Sequence, residues 1–255
     1  MWRRVLGKST VLSRPSRYMA EGRLIPLKDM TPRRSLPIIT ILLIVANIAV
    51  FIHQISLPPA AAEAFVRTYA LTPSKVQLAL EGRHYSLGQA LLPLFTCMFL
   101  HAGFLHILGN MWFLWIFGGN VEDQMGPVPY LFFYLVCGLV SGAAQLAFSW
   151  GSHIPSLGAS GAISGVLGAY IVLFPSSRIL TLVPLFIIWF MARIPAVVFI
   201  GLWFLVQFLS GVGSLGAQGE AAAGGVAWWA HVGGFLAGVL LARGARGRRP
   251  SASYG

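Results

Sequence analysis

The chain has 255 residues, of which 56% are hydrophobic and only 10% are charged, and its mean hydropathy is +0.75. A soluble domain of this length could not bury so many apolar side chains, so the composition excludes an ordinary water-soluble protein and predicts one polytopic membrane domain. The formal net charge of +11 would suit nucleic acid, but no motif of a nucleic-acid-binding class accompanies it, so we expect no nucleic-acid partner.

The basic residues are concentrated at the two ends of the chain. Nine of the 18 Lys and Arg residues precede residue 35, and four follow residue 242. Basic clusters beside apolar segments are typical of cytoplasmic flanks. The basic start is followed by an apolar run with no small-residue cleavage site before His53, which predicts an uncleaved first span. The predicted parts are a basic cytoplasmic tail (1–36), a membrane domain (37–243) and a basic C-terminal tail (244–255).

Six apolar segments follow one another along the membrane domain. Each is near or somewhat below the roughly 20 residues that a helix needs to cross a bilayer. They cover residues 37–55, 103–118, 128–149, 160–174, 195–213 and 227–243. The long loop 56–102 between the first two contains amphipathic pieces such as AAAEAFVRTYAL, so we predict that it lies partly in the membrane interface.

The segment 179–194, ILTLVPLFIIWFMARI, is ambiguous. Arg178 and Arg193 bracket only a short apolar run that Pro184 interrupts, so a full crossing is not expected. With six spans, both tails and this loop lie on one side with 15 basic residues (nine, four and two), against three on the other. A seventh span would break this positive-inside bias. We therefore predict six spans with both termini cytoplasmic.

The two cysteines do not indicate a metal site or a disulfide. Cys97 and Cys137 form neither a CxxC pair nor another metal-binding spacing, and Cys137 lies within an apolar segment. We expect no cofactor.

Four polar residues within or beside the predicted spans are candidates for function, because polar groups at membrane depth are costly. They are His106, Asn110, Ser160 and His231. Each also has a purely structural interpretation. Ser160 flanks a small-xxx-small pair that would by itself indicate helix packing, and the histidines and Asn110 could hydrogen-bond across a helix bundle.

Their depth in the membrane connects these residues. With a rise of about 1.5 Å per residue, Ser160 lies roughly 21 Å from the cytoplasmic end of its span, and His106 and His231 roughly 18 Å from theirs. Against a hydrocarbon core of about 30 Å, all three lie at similar depth, toward the outer ends of their helices. A shared site explains this agreement better than three separate packing contacts.

The residue types at this depth suit acyl transfer. Ser160 lies near a predicted helix N-terminus after Gly158, where free N–H groups suit a developing oxyanion. His231 is the depth-matched base, and His106 and Asn110 can donate hydrogen bonds to the oxyanion. Glu122, Asp123 and Glu220 all fall in predicted loops, so the pattern favours a Ser–His dyad over a triad.

Three motifs in this order resemble the rhomboid intramembrane serine proteases: HILGN at the head of the second span, GASG, and AHVGGFLAG at the start of the last span. The likeness covers residues 37–243 and implies an all-α membrane protein, a six-transmembrane-helix rhomboid-like bundle. It implies Ser160 as nucleophile, His231 as general base, and an oxyanion hole formed by His106, Asn110 and the Ser160 backbone N–H. Supporting positions are Gly158, Gly161, Gly234 and Gly238 in these motifs, together with His101 before the first of them.

The resemblance also implies partners and a location. The expected partners are transmembrane protein substrates and the lipid bilayer, and the expected location is a bacterial plasma membrane with the active site opening to the outer side. FLHAGFLH and the NVEDQMG loop after the second span resemble the family as well. Two positions depart from it: Leu92-Pro93 replaces a Trp-Arg pair in the first loop, and Ser164 replaces an aromatic residue that packs on the histidine in some members.

Three alternatives to proteolysis follow from the same residues. A metal-dependent membrane enzyme could use His101, His106 and His231 as ligands, but HExxH is absent and no acidic residue accompanies the histidines within the spans. A non-catalytic rhomboid-like binder of membrane partners would not need both Ser160 and His231. A transporter would need charged residues deep within the spans, and those here lie near the ends.

Overall fold

A computed structural model describes residues 24–185, 188–215 and 226–244 of the chain. The main helices are α1 (Ile38–Ser56), α2 (Pro59–Tyr69), α3 (Pro73–Leu80), α4 (Leu87–Leu91), α5 (Pro93–Thr96), α6 (Phe104–Phe113), α7 (Gly119–Met125), α8 (Pro127–Phe148), α9 (Ser160–Leu173), α10 (Ala196–Leu215) and α11 (Trp228–Arg243). A 3₁₀ turn covers Cys97–Phe99, and a π-helical stretch, Leu114–Gly118, joins α6 to α7. The strands are β1 (Ile25–Asp29), β2 (Arg178–Leu185) and β3 (Ile188–Pro195).

Each of the six predicted apolar segments is helical. Four helices are long and apolar enough to cross a membrane, and two of the six, α9 with 14 residues and α11 with 16, are shorter. The four long ones are Ile38–Ser56, Phe104–Met125, Pro127–Phe148 and Ala196–Leu215. The chain is therefore an integral multi-pass membrane protein of mostly helical fold, and the number of six spans stays a prediction.

The NVEDQMG stretch is helical, so the prediction of a loop there was wrong. The second apolar segment continues through the π-helical stretch into α7, which carries Glu122. The Glu122 carboxylate accepts hydrogen bonds of 2.8 Å from the backbone N–H groups of Ile39 and Thr40 and from the Thr40 hydroxyl. The first N–H groups of a helix have no intrahelical acceptor, and the helix dipole favours an anion there. Buried Glu122 therefore stabilises the start of α1.

The mostly helical fold is confirmed, with a small three-stranded sheet that the all-α prediction did not include. The ambiguous segment 179–194 is not a helix, since β2 and β3 form an antiparallel hairpin there. The third strand, β1, pairs antiparallel with β2 and comes from the predicted tail 1–36, so part of that tail belongs to the fold. Of the two predicted tails, residues 1–23 and 245–255 lie outside the described residues.

Close packing of α9 against α11 forms the centre of the molecule. A methyl group on Gly168 would overlap the Phe235 carbonyl oxygen, and one on Gly238 would overlap the Gly165 carbonyl oxygen. A methyl group on Gly234 would likewise overlap the carbonyl oxygen of Gly161. The predicted packing face of Gly161, Gly165 and Gly168 is thus confirmed. Because these glycines let the two backbones touch, the N-terminal turns of α9 and α11 also lie side by side.

Candidate active site

The N-terminal turns of α9 and α11 bring two of the predicted residues together. Ser160 is the first residue of α9, and His231 lies in the first turn of α11. Their side chains are within hydrogen-bonding distance, with 2.8 Å between the Ser160 Oγ and the His231 Nε2. Ser160 is partly exposed, whereas the His231 side chain is buried. A serine hydroxyl facing an imidazole nitrogen in this way can lose its proton to that nitrogen.

The second nitrogen of His231 has a partner that sequence reasoning missed. The His231 Nδ1 lies 2.6 Å from the Oε1 of Gln207 on α10, and both side chains are buried. The rule that identified the other candidates, a polar residue within an apolar span, also applies to Gln207 in LWFLVQFLSG. Of the acidic residues considered, Glu122 is engaged at α1, and Glu220 lies outside the described residues.

His106 and Asn110, one turn apart on α6, face the backbone just before Ser160. A methyl group built on Gly158 would lie 2.8 Å from the His106 Nε2 and 3.5 Å from the Asn110 Nδ2. Gly158 has a φ of +127°, a backbone conformation that residues other than glycine rarely adopt. Glycine at 158 therefore satisfies both the backbone conformation and the close approach of the two side chains.

The donors near Gly158 are available for an incoming oxygen. The Ala102 N–H donates to the His106 Nδ1 over 3.3 Å, so the ring proton of neutral His106 lies on Nε2. The Asn110 Nδ2 is buried and has no hydrogen-bond partner among the described residues. The N–H of Ser160 lies in the first turn of α9, where backbone donors have no intrahelical acceptor. Each of these three groups can donate a hydrogen bond to an oxyanion.

His101 lies behind His106. It is fully buried, and its ring lies edge-on to the His106 ring, with 5.1 Å between the centroids. The Phe51 ring also lies edge-on to the His101 ring, with 6.4 Å between the centroids, and the His101 carbonyl oxygen accepts from the Gln54 side chain at 2.9 Å. These contacts tie the start of the second span to α1. The observed position of His101 is therefore that of a packing residue beside the candidate site.

The structure compensates for the departure at Ser164. The Ser164 hydroxyl donates to the Ser160 carbonyl oxygen over 2.6 Å, within α9. Aromatic contact with His231 comes from other helices: the Trp203 ring lies 5.8 Å away on α10, and the Trp228 ring 6.4 Å away on α11. The imidazole is thus flanked by aromatic rings although none follows Ser160 by one turn.

Other contacts hold the first loop where the Trp-Arg pair is missing. Leu71 pairs with Ser156 through two backbone hydrogen bonds, which joins the loop to the segment that leads into α9. The Ser74 N–H donates to the Ser152 carbonyl oxygen over 2.9 Å and reinforces the same junction. The loop is therefore attached close to the candidate site without an anchor at Leu92-Pro93.

The described residues do not contain a metal-binding cluster. Within 24–185, 188–215 and 226–244, no three His, Cys, Asp or Glu side chains come close enough together to hold an ion. His101, His106 and His231 therefore do not form the ligand set that the metal hypothesis requires.

Known proteins are similar to part of this sequence. The family profile of the Rhomboid domain matches residues 88–247. RHOMBOID-like protein 1 of Arabidopsis thaliana is 32% identical over 148 residues, which are 58% of this chain and 33% of that protein. Rhomboid protein 1, mitochondrial, of Saccharomyces cerevisiae is 32% identical over 146 residues, which are 56% of this chain and 38% of that protein. Rhomboid protease GluP of Bacillus subtilis is 40% identical over 85 residues, 33% of this chain and 16% of that protein.

The chain matches about a third of the length of the first two of these relatives. The relatives include mitochondrial proteins as well as one from a bacterium, so the similarity does not support the predicted bacterial plasma membrane. The domain match, by contrast, covers well over half of the chain and includes all four candidate residues. The chain therefore belongs to the rhomboid family.

Proposed function

We propose that this protein is an intramembrane serine protease that hydrolyses peptide bonds in or next to the transmembrane segments of other membrane proteins. One observation carries the proposal: the Ser160 hydroxyl lies 2.8 Å from the His231 Nε2, beside donors that can bind an oxyanion. The similarity to a bacterial relative named rhomboid protease supports it.

Ser160 acts as the nucleophile and His231 as the general base. As the Ser160 Oγ attacks the carbonyl carbon of the scissile bond, its proton moves to the His231 Nε2. The negative charge that develops on the carbonyl oxygen is stabilised by the His106 Nε2–H, the Asn110 Nδ2–H and the Ser160 N–H. The imidazolium then protonates the leaving nitrogen, the C–N bond breaks, and an acyl-serine forms.

Hydrolysis of the acyl-serine repeats these steps with water. His231 takes a proton from the water as its oxygen attacks the ester carbonyl, and the same three donors hold the second oxyanion. Collapse of this intermediate breaks the ester bond and returns the proton to the Ser160 Oγ. The new carboxyl end leaves, and the enzyme is regenerated.

The substrates are proteins whose transmembrane helix unwinds easily near the scissile bond. A helix shields its own carbonyl groups in intramembrane hydrogen bonds, so cleavage requires local unwinding. Gly and Pro lower helix stability most and favour such unwinding. We propose that both termini lie on one side of the membrane and that the site opens to the opposite side, through which water enters.

Reaction with a fluorophosphonate probe tests the nucleophile. Purified wild type should be labelled, whereas Ser160→Ala should not be, and His231→Ala should react far more slowly because its serine lacks a base. In parallel, wild type co-expressed with candidate single-span proteins should cleave one that contains helix-weak residues. Equal labelling of wild type and Ser160→Ala would contradict the proposal.

The same experiments separate the alternatives. A wild type that is neither labelled nor active on any substrate would favour a non-catalytic binder of membrane proteins. Cleavage that survives Ser160→Ala and stops on addition of a chelator would favour the metal enzyme.

A further inference from the structure

We infer that Gln207 is a positioning residue for the reaction, because its side-chain oxygen holds neutral His231 with the ring proton on Nδ1 and the free lone pair on Nε2 toward Ser160. The inference rests on the proposed function, since it assigns His231 the role of base. The Gln207 Oε1 lies 2.6 Å from the His231 Nδ1, and the Ser160 Oγ lies 2.8 Å from the Nε2. The three side chains therefore form one hydrogen-bonded row across α10, α11 and α9.

The register of α10 against α11 places Gln207 opposite His231. One turn before Gln207, the Phe204 ring stacks on Phe235 with 4.2 Å between centroids. One turn after it, Gly211 is so close to Trp229 that a methyl group at 211 would lie 3.3 Å from the indole. Residue numbers therefore rise along α10 as they fall along α11, on both sides of the Gln207–His231 pair. The pair is therefore part of a regular antiparallel contact.

Packing by itself does not account for a glutamine at this position. The buried stripe of α10 is otherwise formed by small or apolar residues, namely Ala196, Phe199, Ile200 and Gly211. Gln207 lies on the same stripe and is only 7% exposed. A buried amide costs free energy unless it is hydrogen-bonded, so an apolar residue would suit the stripe better. The observed partner that repays this cost is the imidazole of His231.

An amide oxygen defines the proton position on a neutral imidazole. Oε1 can only accept, so the Nδ1 that faces it must carry the hydrogen. Nε2 is then unprotonated and able to take the proton of the Ser160 hydroxyl. In the opposite tautomer Nε2 would carry a hydrogen, and it could not act as a base. After proton transfer, the Nδ1–H of the imidazolium still donates to Oε1, so the ring keeps its orientation through the reaction.

Three substitutions of Gln207 separate the acceptor from the shape of the side chain. Gln207→Leu and Gln207→Met keep an apolar side chain of similar size but remove the acceptor. We expect both to lower kcat for a cleaved substrate by about tenfold to a hundredfold with little change in KM, as for the loss of a hydrogen bond to a group that becomes charged. Gln207→Glu keeps an acceptor oxygen and should restore most of the loss. Val206→Ala, an exposed position on the same helix, is the control and should behave as wild type.

Nitrogen-15 NMR of the imidazole rings tests the same claim without catalysis. The His231 signals are assigned by their loss in His231→Asn. In wild type we expect a protonated Nδ1 and an unprotonated Nε2, and in Gln207→Leu and Gln207→Met a shift toward the Nε2–H tautomer. A merely structural role for Gln207 would lower stability and leave this tautomer unchanged.

The outcomes distinguish this inference from the proposed function. If wild type shows the Nε2–H tautomer, or if both apolar variants keep the wild-type kcat and tautomer, Gln207 is not a positioning residue, even when Ser160 is labelled. If Ser160 is not labelled but the tautomer of His231 depends on Gln207, the proposed protease activity fails and the hydrogen bond stands.

Discussion

At the scale of single residues, Asn110 has a defined part in the proposed reaction. Its Nδ2 group is buried without a partner among the described residues and faces Gly158, close to where the carbonyl oxygen of a substrate attacked by Ser160 would lie. Leaving a donor unpaired costs free energy in the resting protein. In the proposed reaction, charge that develops on the substrate oxygen would offset this cost, because the donor is already in place to bind it.

Removing this donor should therefore lower the rate of the chemical step. We expect Asn110→Ala to reduce kcat by roughly 10²- to 10³-fold with KM nearly unchanged, measured on a cleaved single-span substrate. The matched control is Asn47→Ala, a buried asparagine of α1 whose Nδ2 donates to the Leu43 carbonyl oxygen. Its kcat should remain that of wild type. If kcat and KM change to a similar extent in both variants, the result would argue against the role of Asn110.

At the scale of elements, contact between α9 and α11 determines whether the Ser160 and His231 side chains meet. Gly238 faces the Gly165 backbone with no room for a methyl group. Gly238→Ala should therefore separate the helices, lower the free energy of unfolding by about 1–3 kcal/mol and slow labelling of Ser160. Gly201→Ala on α10, with open space around it, should be neutral or slightly stabilising, because alanine is the better helix former. Thermal unfolding in detergent and probe labelling measure both effects.

The junction between α1 and α7 depends on one carboxylate. Glu122→Ala leaves the N–H groups of Ile39 and Thr40 without their acceptor, so it should destabilise the protein by about 2–3 kcal/mol. The control is Glu63→Ala, which removes an exposed ion pair with Arg67 and should cost less than about 1 kcal/mol. Equal unfolding midpoints for the two variants would show that the Glu122 contacts contribute little.

At the scale of the whole molecule, a contact between two chain segments shows which of them lie at the same end of the bundle. The Met30 N–H donates to the Arg178 carbonyl oxygen over 3.1 Å, so the segment before α1 and the one after α9 lie at the same end of the bundle. Three long apolar helices separate residue 35 from the loop between α8 and α9. If each of these helices crosses the membrane once, as proposed, an odd number of crossings separates that loop from the N-terminal segment.

Labelling with a membrane-impermeant maleimide checks this arrangement. Cysteines introduced one at a time as Ser35→Cys and Ser176→Cys should react from one side of sealed vesicles, and His153→Cys should react from the other. The three positions are exposed, and the native Cys97 and Cys137 are buried, so background labelling should be low. Reaction of Ser35→Cys and His153→Cys from the same side would contradict the proposed topology.

Much of the fold followed from properties of individual segments. Apolar length identified six helical segments, and the glycine spacing of GASGAISG identified a packing face, since both depend on residues close together in the chain. The extent of the second helix and the β-hairpin were not anticipated. From the sequence, Glu122 is typical of a loop, because its hydrogen-bond partners on α1 are distant along the chain. The hairpin pairs with β1, which is also distant along the chain.

For the candidate site, the sequence by itself determined the residue types and placed Ser160, His231, His106 and Asn110 toward the same end of their helices. Only the tertiary structure decided how they meet. It brought His231 to Ser160 through glycine contacts, turned His106 and Asn110 toward Gly158, and added Gln207, which no motif had indicated. The physical reason is that spacing within one helix sets a face and a depth, whereas the contact between two helices depends on their register and distance, which are set by packing.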